Sequence, residues 1–300
     1  MTRPLRRAGC ALAVALATLT VNAEEVTLTH QGLTLNANLE TTGADWQQGP
    51  VVLMTHGTLA HGGMEIMQTL QAALLDRDIS SLAMTLSLGL DDRGGMYDCA
   101  TPHTHLHTDA VGEIGAWLGW LQGQGVEQVA LLGHSRGGNQ TARFAAEHTD
   151  APIDAVILIA PQTWNESAAA LDYDKRFGKA LAPELERARQ LDTQGRGGEL
   201  LKPVDFIYCD ETAATATAFL SYYSPDPRMD TPSLIPEIKA PVLVVAGSAD
   251  DVVEGLVESM QPLADQERVD LLVLDGADHF FRDLYAEEIA DAVQTLLEEE

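Results

Sequence analysis

Val129-Ala130-Leu131-Leu132-Gly133-His134-Ser135-Arg136-Gly137-Gly138-Asn139 is the stretch whose reading decides the fold. Residues 129–132 form an apolar run of the kind that a strand buried on both faces requires, and a helical pattern follows from Gly137 to Glu147. A serine therefore sits on a sharp strand-to-helix turn, inside a G-x-S-x-G pattern. Glycines at 133 and 137 remove side chains where the turn crowds its own backbone. The serine is forced into a strained, exposed conformation, with the helix N-terminus beneath any negative charge that develops beside it.

Outward from this turn, further short runs rich in Val, Leu and Ile read as buried strands: Val51–Thr55, Ser81–Leu86, Gln128–Leu132, Ala155–Ala160, Val242–Ala246 and Asp270–Leu274. Helical patterns lie between them at Met64–Asp76, Thr108–Gln122, Gly137–Glu147, Asp251–Leu263 and Phe281–Leu297. The alternation predicts an α/β fold, a mostly parallel central sheet with helices on both faces. Glu25–Leu39 alternates polar and apolar residues around Gln31-Gly32 and reads as a hairpin of edge strands. Alternation fails once, between Pro161 and Pro241. The charged helical segment Ala180–Gln190, the turn Gly195–Gly198 and prolines 225, 227, 232 and 236 mark residues 162–238 as an inserted cap. At 300 residues, one large domain over 24–300 with that insertion is expected.

A serine is a poor nucleophile at neutral pH, so it needs a base to take its proton and a carboxylate to hold that base in the right tautomer. His279 is the only histidine after His148 and is the expected base. Acids follow the strand 242–246 at Asp250 and Asp251. Asp250 is preferred, because Asp251 is suited to open the next helix; Asp278, adjacent to His279, is expected to face solvent. The oxyanion hole needs two backbone N–H groups. Arg136, following the nucleophile, supplies one, and Thr58 is the first candidate for the other, ahead of Leu59, from the loop His56-Gly57-Thr58-Leu59. His56 itself is expected to brace that loop.

With Gly133–Gly137, the strand-His-Gly loop, the acid after 242–246 and Gly276-Ala277-Asp278-His279 in this order, the chain resembles the α/β-hydrolase superfamily across residues 50–297. The resemblance implies the α/β-hydrolase fold and hydrolysis of a carboxylic ester, thioester or small amide through an acyl-enzyme, without a cofactor. A small-molecule acyl substrate follows. In this superfamily dehalogenases and epoxide hydrolases carry Asp at the nucleophile and dienelactone hydrolases Cys, so Ser135 points away from all three. The rival readings are a catalytically silent envelope binding protein on the same scaffold, and an acyltransferase or perhydrolase using the same triad.

The ends and the loops add context. Arg3, Arg6 and Arg7 precede an uncharged run to Val21-Asn22-Ala23, which reads as a signal peptide over 1–23, too short to span a bilayer and suited to cleavage after Ala23; Cys10 opens the run and so is no lipid-anchor site. A periplasmic or secreted protein is expected, with no stable membrane insertion. The net charge of −27 includes only four lysines and becomes more negative when the leader's arginines leave. Such a surface repels nucleic acid and resembles those of proteins from salty media. Cys99 and Cys209 form an even pair for an oxidising compartment and are expected to be bonded. His103, His105 and His107 alternate, so with Cys99 and Asp109 they offer a Zn²⁺ or Cu²⁺ set; the preferred reading is a loop packed beside the site, with no metal. Arg136 is expected to pair with an acid of the cap in preference to a substrate carboxylate. Trp117 and Trp120, at i and i+3, are read as helix packing, and Tyr222 and Tyr223 as candidate lining of an acyl pocket.

Overall fold

The computed structural model describes residues 22–264 and 268–298. The expected leader, apart from Asn22 and Ala23, lies outside the described residues, as does Cys10. The described chain begins with the hairpin β1 (Asn22–His30) and β2 (Leu33–Thr41), closed at Gln31-Gly32 where both residues take positive φ. Next come β3 (Val51–Thr55), α1 (Glu65–Leu75), β4 (Ser80–Thr85), α2 (Asp109–Gly123), β5 (Val129–His134), α3 (Arg136–Glu147) and β6 (Ala155–Ile159). The insertion carries α4 (Glu166–Phe177), α5 (Leu181–Thr193), β7 (Leu200–Phe206), β8 (Cys209–Thr215), α6 (Ala216–Tyr223) and the single turn α7 (Thr231–Leu234). The chain then completes the sheet with β9 (Val242–Gly247), α8 (Leu256–Ala264), β10 (Val269–Leu274) and α9 (Tyr285–Glu298).

Eight strands form one sheet in the order β1-β2-β4-β3-β5-β6-β9-β10. From β4 to β10 every neighbouring pair is parallel, while β1 and β2 add antiparallel strands at one edge. The continuous apolar runs follow from burial on both faces. In β3, Leu53 packs on one side with Leu131 of β5 and Trp117 of α2, whereas Val52 and Met54 turn to the other side with Leu132, α1 and α9. In β6, Val156 and Leu158 meet Val244 of β9 and Met260 of α8. Trp117 is fully buried beside Trp120 at a ring separation of 5.7 Å, so the pair packs the helix and does not face a ligand.

The insertion differs from the sequence expectation by a two-stranded sheet, β7–β8, paired antiparallel with Phe206 opposite Cys209. Its turn is Ile207-Tyr208, with Ile207 at a φ of 58° and no glycine or asparagine to announce it. Cys99 and Cys209 are bonded across a sequence separation of 110 residues, and His103 forms a bridge with Ala214 of β8. The hairpin is thereby fixed to the loop that follows β4. No described helix is long and apolar enough to cross a membrane.

Candidate active site

The turn between β5 and α3 holds Ser135 at φ 58° and ψ −123°, a strained conformation for a residue with a Cβ. Neighbouring backbone fixes it: Ser135 N–H donates to the carbonyl of Ile159 at 2.9 Å, and the Ser135 carbonyl accepts from Gly138 and Gln162, each at 3.0 Å. A Cβ on Gly133 would lie 2.5 Å from the Gly137 carbonyl oxygen, and one on Gly137 would overlap the His56 carbonyl. Close approach therefore demands both glycines. Gly57, in the loop after β3, lies against the turn so closely that its own Cβ would stand 3.2 Å from Ser135 Cβ.

The loops after β9 and β10 bring the two other groups to this turn. Ser135 Oγ is 3.0 Å from His279 Nε2, and His279 Nδ1 is 2.8 Å from Asp250 Oδ2. Ser135 and His279 are buried, at 8% and 5% exposure. Asp250 Oδ1 accepts from the N–H groups of Val252 and Val253 at 2.8 and 3.0 Å. Desolvation pushes the Asp250 carboxyl up, yet the bonds from His279, Val253 and Val252 together hold it below the ordinary carboxylate value. The imidazole thus faces a carboxylate at neutral pH and can accept the serine proton at Nε2. Asp251 is exposed and helix α8 starts only at Leu256, so the expectation that Asp251 opens that helix is corrected: Gly255, at φ 75°, and the turn closed by Asp250 delay it. Similarly, α9 begins at Tyr285 and not at Phe281. Asp278 pairs with Arg282 at 2.9 Å, away from the imidazole.

His134, which the sequence does not single out, braces the site. Its Nε2–H donates to the carbonyl of His279 at 2.9 Å and so holds the imidazole's backbone. Burial, together with the neighbouring His279, lowers the His134 pKa to about 4, which keeps it neutral. His56 is likewise neutral, lowered to about 3 by burial and by Arg93; its Nδ1–H donates to the Gly57 carbonyl at 2.7 Å and its Nε2 accepts from Leu86 N–H at 3.0 Å. Arg93 ties the same loop through the carbonyls of Leu86, Ala60 and Gly95. These bonds pin the loop 57–59 beside Ser135. Among the described residues, the N–H groups of Thr58, Leu59 and Arg136 donate to no protein acceptor, which leaves them available to an oxyanion.

Arg136 forms no ion pair with a described Asp or Glu, so the expected cap acid is replaced by other partners. Its Nε donates to Thr58 Oγ1 at 3.0 Å, and its guanidinium carbon lies 5.1 Å from the ring centre of Tyr222 of the cap. Tyr223 turns elsewhere, accepting from Ile207 N–H at 2.8 Å. A cleft of about 220 Å³ lies between α1 and the 280–286 loop, lined by Met64, Ile66, Thr69, Phe280, Phe281 and Ala286, and Ser135 does not border it.

His103, His105 and His107 are buried beneath the cap. His103 Nδ1 meets His105 Nε2 at 3.1 Å, and His105 Nδ1 meets the Tyr222 hydroxyl at 2.7 Å. Cys99 is consumed by the disulfide, and Asp109 accepts from Leu106 N–H; among the described residues no group of three or more His, Cys, Asp or Glu is arranged to hold a metal ion. Burial lowers His103 to about 4 and, with help from His103 and two arginines, His105 to about 3. The fold thus binds these imidazoles neutral, whereas the unfolded chain protonates them near their ordinary value. Their stabilisation is complete above about pH 6.5 and is lost as pH falls toward 4, by up to about 1.4 kcal/mol per pH unit for each histidine. Urea midpoints at pH 7 and pH 5 should show a marked loss at pH 5; equal midpoints would contradict it.

The profile of the family described as "Alpha/beta hydrolase family" matches residues 32–292. No curated protein matches the chain. Among solved structures, Est1E from Butyrivibrio proteoclasticus with ferulic acid bound superposes with a TM-score of 0.66 at 19% identity, over 91% of this chain and 98% of that one. The esterase Pf2001 of Pyrococcus furiosus gives 0.60 at 18% identity over 96% and 95%, and a dienelactone hydrolase from Anabaena variabilis 0.55 at 18% over 93% and 98%. At these identities the likeness is one of fold.

Proposed function

The chain belongs to the alpha/beta hydrolase family and is a hydrolase, and on that premise we propose that it cleaves a carboxylic ester by attack of Ser135. His279 takes the serine proton and passes it to the leaving alcohol, Asp250 orients and stabilises the imidazolium, and water opens the acyl-enzyme by the same route in reverse. The tetrahedral oxyanion is received by the N–H groups of Arg136 and Thr58. The observation that carries this reading is the unbroken chain Ser135 Oγ–His279 Nε2 at 3.0 Å and His279 Nδ1–Asp250 Oδ2 at 2.8 Å on a strained strand-to-helix turn. A scaffold that only binds has no use for a strained serine facing a carboxylate-backed imidazole.

One structural neighbour, Pf2001 of Pyrococcus furiosus, is named an esterase, which favours an ester over an amide as substrate. We also propose export: the leader pattern over 1–23 and a disulfide between Cys99 and Cys209 suit an oxidising compartment. The test is a fluorophosphonate probe with peptide mapping, beside ester hydrolysis. Stoichiometric labelling of Ser135 in folded protein, and ester cleavage that disappears on labelling, is the expected result. Folded protein that leaves Ser135 unlabelled refutes the assignment.

A further inference from the structure

In a chain with 45 acidic and 18 basic residues, a partly buried arginine ordinarily finds carboxylates. Arg77, Arg143 and Arg228 each meet two, and Arg93, which meets none, is satisfied by the carbonyls of Leu86, Ala60 and Gly95. Arg136 meets none, although it adjoins the nucleophile. Its Nη1 is buried without any hydrogen-bond partner, as is Oε1 of the neighbouring Gln140. A guanidinium stays charged throughout the accessible pH range, and a desolvated cation without a counterion is costly. Thr58 and the face of Tyr222 occupy only part of it.

The space at this arginine is a small pocket lined by Thr58, Leu59, Leu86, Leu88, Ile207 and Tyr222, among others, with no acid in its wall. Its free volume, about 10 Å³, is close to that of one water, and Ile207 and Tyr222 of the cap are among its walls. The pocket begins at the loop proposed to receive the oxyanion. Neither Ser135 nor any residue of the 275–284 loop borders it, and it meets the site through Thr58, Leu59 and Arg136. Because the leaving oxygen must face His279 Nε2 to collect its proton, the half of the substrate directed away from His279 into this pocket is the acyl half.

Resting on the serine-hydrolase reading, we propose that Arg136 is a specificity residue that pairs with a carboxylate at the end of a short acyl chain. The preferred substrates are half-esters of small dicarboxylic acids, of about succinyl length. Arg136 supplies the paired N–H donors that a carboxylate accepts, and its Nε bond to Thr58 fixes the fork; because the pocket at rest holds about one water, its walls must yield to admit the carboxylate, which favours a short chain over a long one.

The experiment compares hydrolysis of monoethyl succinate with that of ethyl levulinate, in which a methyl ketone replaces the carboxylate, by pH-stat at neutral pH. Wild-type protein should favour the succinate half-ester in kcat/KM by about tenfold or more, carried mainly in KM. Arg136→Gln should reduce that ratio to near one, and Arg136→Lys should restore part of it. A wild-type ratio near one, or a ratio unmoved by Arg136→Gln, overturns the proposal. A second reading separates it from the underlying assignment: succinate should slow fluorophosphonate labelling of Ser135 in the wild type but not in Arg136→Gln. Labelling that succinate leaves unaffected refutes the role of Arg136 while the nucleophile stands. Absence of labelling refutes the nucleophile, and the proposal with it.

Discussion

Replacing Ser135 with alanine is expected to lower kcat on esters by at least about 10⁴, the largest effect of any single change in this chain. The substitution removes the hydroxyl that stands 3.0 Å from His279 Nε2 and leaves the strand-to-helix turn otherwise intact. His279→Ala should cost nearly as much, and the double variant little more than either alone, because a serine without its base and a base without its serine are equally idle. The rate that survives should come from substrate binding and the N–H groups of the oxyanion loop. Steady-state kinetics on the three variants, with folding checked by circular dichroism, reads this directly. Fully additive losses would mean that Ser135 and His279 act in separate steps.

Asp250→Asn should lower kcat by about 10⁴ while Asp251→Asn stays within about twofold of wild type. Asparagine offers an N–H where the carboxylate accepted one, and this turns the imidazole to the tautomer whose Nε2 carries the proton and cannot take another. It also withdraws the charge that stabilises imidazolium. Asp251 is exposed, and its neighbour, not it, caps the turn toward Val252 and Val253. The reverse order of effects would transfer the role of the acid to Asp251.

How much of this was legible in the sequence depended on how local each determinant was. The sheet was readable because strands covered on both faces must be apolar at successive positions, as in Val51–Thr55, and because Gln31-Gly32 announced the hairpin turn. The cap hairpin was not, because its turn rests on Ile207 in a conformation that β-branched residues avoid, and β7 carries Lys202 and Pro203 among its apolar residues. Ser135 and His279 were singled out by motif and by elimination. The brace from His134 to the His279 carbonyl was invisible, since it joins the end of β5 to a loop 145 residues away. The partner of Arg136 failed for a similar reason: charge composition favoured an acid, but the tertiary fold brought Tyr222.

The bond between Cys99 and Cys209 bears on how substrate reaches Ser135. An insertion held only where it leaves and rejoins the sheet could swing open like a door about the line through those two points. The third tether, at the tip of the hairpin and close to Ile207, takes away that freedom. Admission must then proceed by local yielding of the side chains at the pocket mouth, with the frame of the doorway standing still. Molecules would be sorted by whether they can pass a narrow, fixed opening, before any chemistry begins.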